Sequence, residues 1–78
     1  MFTKEILLDS VDKVKAFVAD MSKLDCDAEL ITDRSRIDAR SIMGVFTLDL
    51  AKPVRLSVES HDAGVLAKAS DIAAAYAA

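Results

Sequence analysis

Residues 54–59, Val-Arg-Leu-Ser-Val-Glu, alternate without a break: Val54, Leu56 and Val58 are apolar, and Arg55, Ser57 and Glu59 are polar. A strand with one covered face and one wet face produces that period of two. Other parts of the chain follow a different period. Val11, Val14, Phe17, Val18 and Met21 recur at helical spacing, and so do Val65, Leu66, Ala69, Ile72, Ala73 and Tyr76. A chain holding both periods needs a sheet that helices can cover, which is a layered α+β architecture.

The remaining elements follow from the same rules. Residues 2–8 predict a strand, with Phe2, Ile6 and Leu8 on one face and Lys4 as an imperfection. Ser10 is placed to cap a helix over residues 11–23, and Asp12 suits its positive end. Residues 28–32 and 35–39 predict two short strands joined by a tight turn at Asp33-Arg34. Ser41 predicts the start of a short helical segment over residues 41–46. The order β-α-β-β-α-β-α predicts a four-stranded antiparallel sheet covered on one face by helices, in a single domain over residues 1–78.

Composition removes much chemistry. The net charge is −3, against the basic face that nucleic-acid binding needs, so no nucleic acid is expected. His61 is the only histidine and Cys26 the only cysteine, which leaves no two-histidine metal site and no internal disulfide; no cofactor or metal is expected. The two glycines, Gly44 and Gly64, are too few for a phosphate-cradling loop. No apolar run approaches the ~20 residues that span a bilayer, and residues 1–5 lack the pattern of a signal peptide. A cytoplasmic protein without membrane insertion is expected. Cys26, between Asp25 and Asp27, reads as a small strand-edge residue whose thiol the carboxylates keep protonated. Asp9-Ser10-Val11 looks like the Asp-Ser-Leu attachment site of acyl carrier proteins, but a strand precedes Ser10 and β alternation follows it, against an all-helical bundle.

Arg40-Ser41-Ile42-Met43-Gly44-Val45-Phe46-Thr47-Leu48 closely resembles the Lys-Ser-Ile-Met-Gly-Val-Met-Ser-Leu stretch of the HPr family. These are the histidine phosphocarriers of the bacterial phosphoenolpyruvate-dependent sugar phosphotransferase system. Ser22-Lys23-Leu24-Asp25-Cys26-Asp27 is similar to the family's Ser-Lys-(aromatic)-Asp-x-Asp segment, and the likeness covers roughly residues 14–75. The resemblance implies the family's open-faced sandwich. It also implies a regulatory phosphorylation site at Ser41, with Arg36 and Arg40 as candidate partners for the phosphate. Ile42, Met43 and Phe46 are the implied partner-binding patch, for enzyme I, a serine kinase or a transcription regulator.

The chain departs from the family where the chemistry lies. Relatives carry Gly-(Leu/Ile)-His-Ala-Arg-Pro between the first strand and first helix, and this chain has Leu8-Asp9-Ser10-Val11-Asp12-Lys13. The phosphohistidine position falls at or near Ser10, and the arginine position near Asp12. A serine phosphate ester is far more inert than a phosphoramidate, and Asp12 sets a negative charge where phosphoryl transfer needs a cation. The expectation is a regulatory or protein-interaction module with no catalytic residue, not competent for phosphohistidine transfer. The alternative is an active phosphocarrier with an unconventional acceptor. His61 is expected at the end of the sheet opposite the Ser10 turn, as a solvated loop residue.

Overall fold

The computed structural model describes residues 2–78. Its elements are β1 (Phe2–Ile6), α1 (Val11–Met21), β2 (Asp27–Ile31), β3 (Arg36–Asp38), α2 (Ile42–Val45), β4 (Val54–Glu59) and α3 (Ala63–Ala75). The strands form one antiparallel sheet in the order β1-β4-β2-β3. The expected element order and sheet are both present.

Register fixes which side chains share a face. Phe2, Lys4 and Ile6 stand opposite Val58, Leu56 and Val54, and Ala28 and Leu30 stand opposite Val58 and Leu56 from the other side. These rows, with Ile37 opposite Leu30, form the helix-facing side. Ile6, Leu30, Leu56 and Val58 are fully buried there with Val14, Phe17 and Met21 of α1 and Ala69 and Ala73 of α3. Lys4 is exposed although it lies on the covered side. It sits on an edge strand, where a charge discourages pairing with another chain.

Several boundaries differ from expectation for identifiable reasons. The predicted strand 2–8 stops at Ile6 because the end of the chain returns to that edge. Leu7 N–H donates to Tyr76 C=O at 2.8 Å, and Ile6 bridges Ala77. Leu8 remains buried outside the strand. Helix α1 ends at Met21, before the predicted residue 23. Beyond it the bonds tighten to three-residue spacing, with Lys23 N–H on Asp20 C=O and Leu24 N–H on Met21 C=O, while the Ser22 hydroxyl donates to Val18 C=O at 2.7 Å. The β2–β3 turn lacks glycine but is held by Thr32, whose Oγ1 accepts from Arg34 and Ser35 N–H.

Helix α1 lies between the other two. Helix α3 packs on β1 and β4, at one side of the sheet, and α2 packs on β3, at the other, and each contacts α1. Phe17 meets Tyr76 edge to face at 5.6 Å between ring centres, which marks the α3 flank of α1.

Candidate functional site: the first turn of α1 and the face of α2

Two helix starts carry the residues singled out in the sequence. At the first, Ser10 is extended (φ −148°, ψ 158°) and its Oγ accepts from Lys13 N–H at 3.2 Å. Asp9 Oδ1 lies 2.8 Å from Lys13 Nζ. The hydrogen bond from that ammonium, then its charge, holds the Asp9 carboxyl below its ordinary range. Lys13, the closest cation in sequence to Ser10, is therefore tied to a carboxylate. Asp12 is exposed and forms no ion pair among the described residues. A phosphoryl group at Ser10 would meet two carboxylates.

The Asp9–Lys13 pair gives a pH prediction. Asp9 is depressed in the fold, so its stabilising contribution is present above its unfolded value and is lost as pH falls through the folded one. Lys13→Gln is expected to return the Asp9 midpoint upward to the normal carboxylate range, read by carboxyl-carbon NMR titration. An unmoved midpoint would refute this account of the pair.

At the second start, Ser41 is exposed and caps α2, its Oγ accepting from Gly44 N–H at 3.2 Å. Such a cap is worth about 1 kcal/mol. Arg36 and Arg40 do not turn toward it. Arg36 Nη2 lies 3.2 Å from Glu29 Oε1, and Arg40 Nε lies 3.5 Å from Asp38 Oδ1, which also accepts Arg40 N–H at 2.9 Å. Without a group on Ser41, carboxylates hold both arginines, and a phosphate there would have to displace them.

The apolar residues of α2 divide as its short turn requires. Val45 is buried, while Ile42, Met43 and Phe46 are 38%, 79% and 40% exposed. Val11 is 51% exposed, and this corrects its assignment to the core stripe. It lies on the margin of that stripe at the helix end, where Val14, Phe17, Val18 and Met21 already fill the inward rows. Leu8, Leu48, Leu50 and Val54 line one crevice, which brings the chain after Phe46 to the end of the molecule where α1 begins. Sequence reasoning missed Val11 as a surface residue; its place before the fully inward Val14 was the available signal.

The other candidates stand apart. His61 is exposed beyond β4, past the Val58–Phe2 pair, whereas Ser10 follows the Ile6 end of β1. Cys26 is buried just before β2; burial raises its thiol pKa most, Asp27 and Asp25 add to this, and Arg40 opposes them. Burial, more than the neighbouring carboxylates, keeps it protonated. An open groove of about 820 Å³ between the β2–β3 turn and residues 47–53 carries Arg34, Lys52 and Arg55 against Glu5, Asp33 and Asp49, a balance that favours neither sign of charge. Among the described residues, no group of three His, Cys, Asp or Glu side chains is placed to hold a metal ion. No helix among them is long and apolar enough to cross a membrane.

No family model matches the chain, and neither does any curated protein sequence. Solved structures do match. An HPr from Thermoanaerobacter tengcongensis, described as HPr-C-His, superposes with a TM-score of 0.75 at 22% identity, covering 96% of this chain and 93% of that one. The phosphocarrier protein HPr of Bacillus anthracis superposes with a TM-score of 0.73 at 20% identity, covering 96% and 95%. The chain therefore has the HPr fold: a four-stranded antiparallel sheet with three helices on one face.

Proposed function

We propose that this chain is an HPr-like protein-interaction module, related to the phosphoenolpyruvate-dependent sugar phosphotransferase system, that does not hand on a phosphoryl group. The observation that carries the reading is the first turn of α1. Its Ser10 hydroxyl serves as a helix cap between Asp9 and Asp12, and its nearest cation in sequence, Lys13, is held by Asp9. A transferable phosphoryl group needs a nucleophile with a labile bond and cations to offset its charge. The turn offers neither.

What remains is a docking surface. Ile42, Met43 and Phe46 are exposed on α2 and at its end, and methionine adapts readily to a partner's shape. Its partner is a protein of the phosphotransferase or carbon-regulation system, such as enzyme I, a serine kinase or a transcription regulator. Ser41 is the regulatory phosphorylation site of this reading. A phosphate there would sit at the start of α2 and compete with Asp38 for Arg40.

The test uses enzyme I and labelled phosphoenolpyruvate, with a working carrier as control. This chain is expected to take up no acid-labile label and, in excess, to slow labelling of the working carrier. Acid-labile label on this chain would establish an active carrier with an unconventional acceptor. Undiminished labelling of the control would remove enzyme I as the partner. In parallel, a serine kinase with ATP is expected to label the chain, and Ser41→Ala is expected to abolish that label.

A further inference from the structure

We propose that Met43 is a redox-sensitive modification site: a hydroperoxide transfers an oxygen atom to its sulfur in the folded chain, which makes the apolar surface of α2 polar and leaves the fold intact. Three sulfur atoms lie among the described residues, on Met21, Cys26 and Met43, and the fold treats them differently. Met43 is 79% exposed, on α2. Met21 is fully buried at the end of α1. Cys26 is buried just before β2, and burial raises its thiol pKa, so the reactive thiolate is withheld. It has no second cysteine with which to form a disulfide. Among the described residues, a peroxide therefore meets one accessible sulfur.

The step is an oxygen transfer. The Met43 sulfur attacks the O–O bond of hydrogen peroxide. An S–O bond forms, the O–O bond breaks, and the hydrogen of the transferred oxygen leaves with the other half as water. Sulfur is oxidised and the peroxide is reduced. The product is a polar, chiral sulfoxide, which a methionine sulfoxide reductase returns to the thioether. Helix α2 does not depend on this side chain for its seat. Val45 is its buried residue, Gly44 approaches Ile37 closely, and the Ser41 hydroxyl holds Gly44 N–H. A sulfoxide at Met43 stays in water, whereas one at Met21 would set a polar oxygen in the core. The fold thus separates a methionine that is oxidised and restored from one whose oxidation is damage. On the docking reading above, on which this last consequence rests, the oxidised surface holds its partner more weakly.

Hydrogen peroxide added to the full chain, followed by peptide mapping in a mass spectrometer, reads each sulfur separately. Met43 is expected to gain oxygen at least about tenfold faster than Met21, because Met21 reacts only when the fold opens. In denaturant the two rates are expected to converge. The chain carrying one oxygen on Met43 is expected to keep the parent's unfolding midpoint. Equal rates in the folded chain, oxidation of Cys26 ahead of Met43, or a lowered midpoint would overturn the assignment. The enzyme I competition described above reads the consequence. The oxidised chain is expected to need a several-fold higher concentration to slow labelling of the working carrier, and the reductase is expected to restore it. A Met43→Leu chain, compared with itself before and after peroxide, is expected to show no change. Competition that survives oxidation of Met43 undiminished would overturn the effect on the partner. An untreated chain that does not compete removes the docking reading instead, and the peptide map still decides the modification site.

Discussion

Phe17→Ala is expected to lower the stability of the chain by about 4 kcal/mol, the largest effect of any single truncation in the core. Phe17 is fully buried at the centre of α1, and its ring meets Tyr76 edge to face at 5.6 Å. Phenylalanine truncations in cores cost about 3–5 kcal/mol, and an edge-to-face partner adds roughly 0.5–1.5 kcal/mol beyond the buried area. A domain of this length holds on the order of 4–12 kcal/mol in all, so most of its margin would go. Thermal unfolding would shift down by roughly 15–30 °C. Tyr76→Phe is the companion measurement. It keeps the ring and removes only the hydroxyl, whose pKa burial raises and Asp20 raises further, so it is expected to stay within about 1 kcal/mol of the parent. A Phe17→Ala protein that unfolds at the parent's denaturant midpoint would show that the α1–α3 contact does not organise the core.

Consequences for the site follow from that contact. Tyr76 C=O accepts Leu7 N–H at 2.8 Å, and Ala78 N–H reaches Glu5 C=O at 3.3 Å. The same segment therefore holds the end of β1 from one side and braces α1 from the other. The turn carrying Asp9, Ser10 and Asp12 lies between these two anchors. Loosening Phe17 would loosen that turn as well as weaken the fold.

The architecture was legible because each element shows its period in a few residues. Val54, Leu56 and Val58 announce a half-covered strand, and Val14, Phe17, Val18 and Met21 announce a helix with one inward face. Ser10 and Ser41 both cap the helices they precede, since a short hydroxyl before an apolar-periodic run has little else to do. Boundaries were less legible. The truncation of β1 at Ile6 depends on Ala77, which is remote in sequence, and nothing local in residues 2–8 carries that information. The carboxylate partners of Arg36 and Arg40 were hidden for a similar reason. Nearness in sequence to Ser41 suggested a role there, but strand register brings Arg36 to Glu29 across the sheet, and the connection after β3 folds Arg40 back on Asp38. The exposure of Val11 required knowing that Val14, Phe17, Val18 and Met21 already fill the inward rows at that end of the helix. Charge and apolar identity are local; the surface on which they meet is set by packing.

Gly44 decides how closely α2 can seat on β3, and its replacement gives an effect whose sign can be reversed. Glycine costs a helix roughly 1 kcal/mol relative to alanine, so Gly44→Ala would be stabilising if space allowed. A β-carbon built there, however, falls 2.7 Å from Ile37 Cγ2 and 3.2 Å from Ser41 Oγ. Ile37 is β-branched, and so stiff at its first side-chain torsion, and it lies in the helix-facing row opposite Leu30, so its methyl group gives way only at a cost. Overpacking of this kind costs about 1–3 kcal/mol and outweighs the gain in propensity, leaving Gly44→Ala destabilising by about 1–2 kcal/mol. In an Ile37→Ala background the obstructing methyl is gone, and the same substitution is expected to become neutral or stabilising by up to about 1 kcal/mol. The patch should respond in step: with Ile37 present, the added methyl lifts α2 away from β3 and displaces Met43 and Phe46, whereas in the Ile37→Ala background their amide resonances should return to the parent positions. Denaturant unfolding of the four proteins in the cycle measures the coupling. A Gly44→Ala cost that is the same in both backgrounds would mean that Ile37 does not set the seat of α2, and that the glycine is there for its backbone alone.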